Sequence, residues 1–580
     1  MTYRAPVADL LLALETAGHG ALLQRGLIDL DTETLGAVLE AAGDMASGQL
    51  APLNRLGDTH GARFDNGQVT SPPGFAPAYQ AFCDGGWNGL SADLAHGGQG
   101  LSRTLELAVF EMVHAANMAF GLCPMLTQGA IEALAAHGSE RQRRLILPKL
   151  VSGQWTGTMN LTEPQAGSDL AAISTRAEPD GAGGYRLSGQ KIFITWGDHD
   201  LAENICHLVL ARLPDAPPGV RGVSLFLSTK RLVDETGQLG ALNSLGPLSI
   251  EHKLGIHGSP TCVMGFDGAQ AELVGEADKG VAQMFVMMNA ARLQVGMQGV
   301  GVAERAFQQA LSFAQGRRQG RPAWGAQDAI YDHPDVRRTL LLMKAKIEAA
   351  RGLCLATGVQ ADLARLSPYP AEQGRARQRQ ELLTPIAKAW STDMAIEVAS
   401  MGLQVHGGMG FIEETGAAQH YRDARIAAIY EGANGIQAID LIARKIAADG
   451  GKALDLLIAD IRRDTARLSS SSELQAVSPY LEEAVAALER ATAWILAHPG
   501  AEALAVATPF LQLAGDVVGG WVLARQALAT AFQADAWSQS KVALARLYAS
   551  QVLTRAPGAA LAVVEGAGLM AGVEAAALQA

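Results

Sequence analysis

Apolar residues recur at three- and four-residue spacing from the start of the chain to about Ser152, interrupted by Gly/Pro clusters such as Ser71-Pro72-Pro73-Gly74. That period puts apolar side chains on one face of a helix and predicts a helical domain over residues 1–153. Between Gln154 and about Gly275 the pattern changes to short β-prone runs at 185–188, 191–195, 207–210 and 222–227. Turn-rich pieces such as Asp180-Gly181-Ala182-Gly183-Gly184 separate them. A small antiparallel β domain over 154–275 is the economical reading. Helical periodicity returns near Val281, with long stretches at 284–313 and 336–363, and predicts a helical bundle over 276–447. After Asp449-Gly450-Gly451, the residues Leu454, Leu457, Ile458 and Ile461 keep one apolar face. Breaks at 469–472 and Pro499-Gly500 divide the Ala/Leu-rich remainder into an extra helical domain over 448–580. The expected fold class is α+β, mainly α, with no internal repeat.

Composition narrows the function. Of 580 residues, 58 are Asp or Glu against 46 Lys or Arg, a formal charge of −12, which disfavours a polyanionic partner such as nucleic acid. A 48% hydrophobic share supports a large core. No apolar run reads as the ~20 residues of a membrane span, and the Leu10–Leu14 run lacks the flanks of a secretory signal. Five scattered cysteines, Cys83, Cys123, Cys206, Cys262 and Cys354, read as buried thiols in a reducing cytoplasm.

Neither a P-loop nor a dinucleotide fingerprint is present, and no G-x-S-x-G elbow offers a hydrolase nucleophile. His252 and His257 sit five apart, not at the i, i+4 spacing of paired metal ligands, so no metal site is expected. Three segments stand out. Met159-Asn160-Leu161-Thr162-Glu163-Pro164-Gln165-Ala166-Gly167-Ser168-Asp169 runs from an apolar strand into a turn dense in hydroxyls and backbone N–H groups. It suits a polar cofactor or an ordinary turn equally. Gln404-Val405-His406-Gly407-Gly408-Met409-Gly410-Phe411 sets three glycines within four positions, for close approach or a sharp turn. Arg422 to Gln437 contains Ile429-Tyr430-Glu431-Gly432, which puts a carboxylate at a helix break after apolar residues; desolvation there would make it a stronger base.

With Gly85-Gly86-Trp87-Asn88-Gly89-Leu90 and Ala95-His96-Gly97-Gly98-Gln99-Gly100, these segments resemble the acyl-CoA dehydrogenase family of flavoproteins over about 87–446. The resemblance implies an N-terminal helical domain, a middle β domain and a C-terminal four-helix bundle. It also implies bound FAD, an acyl-CoA substrate and Glu431 as the base that takes the α proton while hydride leaves the β carbon. In relatives the thioester carbonyl is bonded by the base's own backbone N–H and a ribityl hydroxyl, which stabilises enolate character. Met159, Leu161, Thr162, Gly167 and Ser168 are expected at the flavin, with Ser168 also toward CoA. Phe193 would pack on the flavin where many members have Trp, and Thr195 would reach N5; read alone, Phe193 is a core ring of the β domain. Asn289, Arg292, Tyr430 and Gly432 are expected along the acyl-CoA channel.

Arg317, Gln404, Gly407 and Gly408 resemble residues that reach the FAD of a neighbouring subunit, which implies a homodimer. Ala433 and Gly435 stand at FAD-contacting positions where members commonly have Thr and Gln, and Gly320-Arg321 replaces a frequent Phe-Gly. The opening Tyr3-Arg4-Ala5-Pro6 and the added C-terminal domain resemble a larger bacterial branch, which includes 3-methylthiopropanoyl-CoA dehydrogenases of dimethylsulfoniopropionate breakdown. The expected activity is oxidation of an acyl-CoA to a trans-2-enoyl-CoA in the cytoplasm, with electrons passed to an electron-transferring flavoprotein. Methylthio, branched, short and medium acyl chains all stay open. An oxidase using O2, and a non-catalytic or nucleic-acid-associated flavoprotein, are the alternatives; the acids around Arg462, Arg463 and Arg467 disfavour the last.

Overall fold

The computed structural model describes residues 3–324, 328–570 and 572–579. Two compact units are present, one of Thr2–Ala5 and Ala41–Gln294, the other of Pro6–Glu40 and Val295–Ala580. The first helix, Val7–Ala17, thus groups with the C-terminal half rather than with the rest of 1–153. Its Leu10, Leu12, Ala13 and Leu14 are buried, and Asp9 is bonded by Lys344 and Lys541, at 2.7 and 2.6 Å.

The sheet-bearing unit holds a seven-stranded sheet. Its order is Trp155–Asn160, Asn204–Ala211, Ser224–Thr229, Thr261–Leu273, Tyr185–Thr195 and Arg176–Pro179, with Leu245–Ile250 joining Thr261–Leu273. The core beneath it includes Leu187, Ile194, Val209, Phe226, Met264 and Phe266. The expected all-antiparallel arrangement is corrected at one edge, where Trp155–Asn160 runs parallel to Asn204–Ala211. The chain builds the Arg176–Pro179 and Tyr185–Thr195 pair between them, and that long connection returns it in the same direction. A small hairpin, Arg63–Asp65 with Gln68–Thr70, also interrupts the N-terminal helices.

Helix Arg103–His137 corrects the reading that no stretch has membrane-span character. By length and composition it is long and apolar enough to cross a bilayer, yet its most apolar 18-residue window lies wholly buried inside the protein. It is two helices meeting at Asn117, whose backbone is extended (φ −159°, ψ 93°) and whose Oδ1 accepts from the N–H of Phe120 at 3.1 Å, capping the second half.

In the helical unit, Pro334–Leu366 packs along Pro370–His406. The residues after 448 form Lys452–Ser469, Ser478–Ala497, Ala507–Thr530, Ala536–Gln551 and Ala556–Met570. The apolar face read from sequence is buried at Leu454, Leu457, Ile458 and Ile461. Ala507–Thr530 lies close against Trp390 of Pro370–His406: a Cβ on Gly515 would fall 2.2 Å from the indole, whose Nε1 donates to Asp516 at 2.9 Å.

Candidate active site

In the sheet-bearing unit the expected flavin-side residues gather at the end of Trp155–Asn160 and on Tyr185–Thr195. Glu163, nearly fully buried, clamps the turn after Leu161. Its Oε1 accepts from Lys191 Nζ at 2.8 Å and from the backbone and hydroxyl of Thr175 at 3.0 and 2.6 Å. Its Oε2 accepts from the backbone and hydroxyl of Ser174, at 2.8 and 2.7 Å, and from Gln165 Nε2 at 2.6 Å. Lys191 also donates to the Leu161 carbonyl at 3.0 Å, and the Ile192 N–H to the Thr162 carbonyl at 2.9 Å. Burial alone would push the Glu163 carboxyl up, but Lys191 and the hydroxyl donors outweigh it and hold the group at about 2. Leu161 and Thr162 are thereby fixed beside the strand that carries Phe193. Met159 is buried in its strand, whereas Gly167 and Ser168 are exposed beyond the clamp.

Phe193 is not the core ring that its strand pattern allows. Lys191 pairs with Met264 and Ile194 with Cys262, so Ile192 and Phe193 together face the single residue Val263 across a β-bulge. Phe193 takes φ 60° there, and its ring is turned out, 60% exposed, between the buried Lys191 and Ile194. A left-handed bulky residue costs about 1–2 kcal/mol, which the sheet on both sides holds in place. Thr195 ends the same strand, its carbonyl bonded by the Thr158 hydroxyl at 2.7 Å. Asn289 and Arg292 also belong to this unit. Arg292 Nη1 donates to Asn289 Oδ1 at 3.4 Å, and the guanidinium lies 5.8 Å from the Phe285 ring centroid.

The helical unit carries the remaining candidates. Between helices Ala417–Ala427 and Asn434–Asp440, Glu431 and Gly432 adopt consecutive left-handed conformations, φ 54° and 80°. Glycine takes such a φ without cost; Glu does not, so its surroundings must impose it. The Asn434 N–H closes the turn onto the Ala428 carbonyl at 3.0 Å. Lys388 Nζ donates to the Gly432 carbonyl at 2.9 Å, and Gln437 Nε2 reaches the carbonyls of Glu431 and Gly432 at 3.2 and 3.3 Å. The Tyr430 hydroxyl donates to Gln298 Oε1. Burial, with the Glu431 charge beside it, pushes the phenol well up, so Tyr430 stays neutral. Glu431 itself is half-buried. Ala433 and Gly435 flank Asn434 on the same turn.

Arg317, Gln404, Gly407 and Gly408 form a second group in this unit. The Phe313 and His406 rings, 4.4 Å apart, bring together the helix ends that carry them. All four are exposed, and a Cβ on Gly407 or Gly408 would meet open space. Sequence reading named Glu431 and its neighbours but missed Lys388, Gln437, Asn434 and Gln298, which hold that turn, and the Glu163–Lys191 clamp. Asn434 at the helix start was the one local cue; a buried lysine 43 positions before Glu431 leaves none.

These features fit FAD. An aromatic ring is held outward on a bulge beside a clamped, hydroxyl-bearing turn, and glycines with open space and an exposed arginine suit a diphosphate and adenosine. Glu163→Gln is expected to destabilise the protein by about 3 kcal/mol. Because it loosens the Leu161–Thr162 edge, it should also lower the flavin-to-protein absorbance ratio after gel filtration.

The family models agree with these features. Residues 32–154 match the acyl-CoA dehydrogenase N-terminal domain, 158–269 the middle domain and 278–447 the C-terminal domain; 457–573 match an acetyl-CoA dehydrogenase C-terminal-like domain. The chain is 48% identical to a 3-methylmercaptopropionyl-CoA dehydrogenase of Ruegeria pomeroyi, over 95% of this chain and 96% of that protein. It is 35% identical to a butyryl-CoA dehydrogenase of Syntrophomonas wolfei, over 91% and 90%. In fold it matches Caenorhabditis elegans ACDH-11, crystallised with C11-CoA, at TM-score 0.78 and 21% identity, over 95% of this chain and 92% of that one. The chain therefore belongs to the acyl-CoA dehydrogenase family, FAD-dependent oxidoreductases that act on acyl-CoA thioesters.

Proposed function

We propose that Glu431 is the base that removes the α proton of a short acyl-CoA, with 3-methylthiopropanoyl-CoA the preferred substrate. The observation that carries the assignment is the left-handed Glu431 itself, a strained residue whose turn is held through its backbone carbonyls by the buried Lys388 and Gln437. Strain of this kind persists where geometry serves function. In the reaction the α C–H bond breaks and its proton passes to the Glu431 carboxylate. The electron pair left behind forms the new C=C bond. Bound FAD supplies the acceptor for the hydride that leaves the β carbon, which yields a trans-2-enoyl-CoA. Leu161, Thr162, Phe193 and Thr195 would line the flavin; Ser168, Asn289 and Arg292 would line the thioester.

The two relatives named for their substrates support a short chain. Methylthiopropanoyl has the heavy-atom length of pentanoyl, one atom more than butyryl. Anaerobic flavin bleaching should be most efficient with 3-methylthiopropanoyl-CoA, close behind with pentanoyl- and butyryl-CoA, and poor with octanoyl-CoA; a preference for octanoyl or a branched chain would overturn the substrate. Turnover with electron-transferring flavoprotein and without peroxide is expected, and peroxide formation would make the enzyme an oxidase.

The exposed Gln404, Gly407, Gly408, Met409 and Phe411, the last 92% exposed, support a homodimer in which this face and Arg317 meet a second copy. Light scattering of the holoenzyme tests it. Five cysteines held as thiols, with burial pushing the Cys83 thiol up to about 11 and Cys262 to about 12, support a reducing cytoplasmic setting.

A further inference from the structure

Beyond the residues that touch Glu431's turn directly, one chain of hydrogen bonds leaves it for the domain after residue 448. The Asn434 side chain donates to Asp393 Oδ1 at 2.7 Å and to the Ala389 carbonyl at 3.1 Å, and its Oδ1 accepts from Lys388 Nζ at 2.8 Å. With Thr392 Oγ1, which accepts from Asn434 Nδ2 at 3.0 Å, four residues of helix Pro370–His406 grip one amide, and that amide begins the helix after Glu431. The other oxygen of Asp393 accepts from Gln512 Nε2 at 2.6 Å. Gln512 lies on Ala507–Thr530, in the extra domain, and Gly515 seats that helix against Trp390 three residues before Asp393.

We propose that Gln512 is a positioning residue for Glu431, acting through the carboxylate of Asp393 and the amide of Asn434. Asp393 is a largely buried anion faced by Lys388 on its own helix, Arg425 on Ala417–Ala427, and the neutral donors Asn434 and Gln512. Without Gln512, Oδ2 loses the short, geometrically fixed hydrogen bond that sets the orientation of the carboxylate. The carboxylate then turns or takes up a proton, and Asn434 loses its anchor. A turn that holds a glutamate at φ 54° has an ordinary backbone conformation to relax into once that anchor goes. The extra domain thereby sets the geometry of proton removal without touching substrate. This inference rests on Glu431 being the base.

The test uses full-length holoenzyme and single-turnover anaerobic bleaching by 3-methylthiopropanoyl-CoA and butyryl-CoA. In Gln512→Leu, and in Gln512→Asn, which is shorter but stays polar, the bleaching rate constant is expected to fall about tenfold, with substrate Kd and flavin content within about twofold. Asp393→Asn should show a similar fall, and the double variant Gln512→Asn/Asp393→Asn should be no slower than the worse single, because both cut one chain. A wild-type bleaching rate in Gln512→Asn overturns the proposal, as do additive effects in the double variant or an equal loss in Kd and rate. If Gln512→Leu fails to fold, Gln512→Asn carries the decision. Glu431→Gln measured alongside separates the two readings. Wild-type bleaching there overturns the base and this inference together; loss there with wild-type Gln512 variants overturns this inference alone.

Discussion

Glu431→Gln is expected to remain yellow, to bind acyl-CoA and to bleach at least about 10³-fold more slowly than wild type. Gln has the length and shape of Glu and suffers the same penalty at φ 54°, so the turn closed by Asn434, Lys388 and Gln437 has no reason to change. What the substitution removes is a group able to accept a proton. The α carbon of a thioester is far less acidic than a carboxylic acid, and water excluded from a closed site cannot take over the role. Stopped-flow bleaching, with thermal melting and flavin content as controls, reads the difference. A rate near wild type would take Glu431 out of the mechanism.

The second large effect concerns stability. In the helical unit Asp9, Glu304 and Glu348 share a buried cluster with Lys344, Arg351 and Lys541. Lys541 lies 2.6 Å from Asp9 and 2.6 Å from Glu348; Lys344 lies 2.7 Å from Asp9 and 3.3 Å from Glu304; Arg351 lies 3.0 Å from Glu304. Lys541→Met leaves a net negative charge out of water and should cost about 3–5 kcal/mol, read as a lower urea midpoint.

The pH dependence has a definite sign. Burial alone would push Asp9 up, but Lys344, Lys541 and Arg351 outweigh it and hold the carboxyl far below its usual range. Glu304 is likewise lowered, by Lys344 and Arg351 against burial. Groups depressed on folding stabilise the protein above their unfolded values, so this contribution is lost as pH falls below about 4. Burial alone would lower Lys344, yet Glu304, Asp9 and Glu348 raise it, so its contribution is lost as pH rises past about 10.5. The contribution of this cluster to the urea midpoint should therefore be constant between about pH 5 and 10 and fall on both sides. In Lys541→Met the acid-side fall should be smaller and should finish at higher pH, because Asp9 is less depressed.

How much of this was legible in the sequence depends on range. The long helices were, because periods of three and four persist from 284 to 313 and from 336 to 363 with nothing local to oppose them; the structure extends them to Gly280–Gly316 and Pro334–Leu366. Glu431's place at a helix break was legible from the glycine after it. The outward ring of Phe193 was not, since the bulge depends on how Thr261–Leu273 pairs across from it and Lys191–Thr195 alternates like any half-buried strand. The parallel edge pair and the Asn117 break were equally silent: one needs a partner over 40 residues away, the other replaces helical φ/ψ at a residue inside an unbroken apolar pattern. The supports of the Glu431 turn and the buried charge cluster come from side chains that sequence spacing does not relate.

Asp9 finds Lys541 532 residues later, and Trp537, whose Nε1 also donates to it at 2.9 Å, 528 residues later. During synthesis at about 5–20 residues per second, the opening helix waits roughly half a minute to two minutes for these partners. Lys344 and helix Pro334–Leu366 reach it sooner; until they emerge its leucines and its acid lack these partners. Nascent chains of this protein should therefore depend on holding factors at the ribosome at least until Pro334–Leu366 emerges. A premature stop ahead of Trp537 would leave Asp9 with Lys344 but without Trp537 and Lys541.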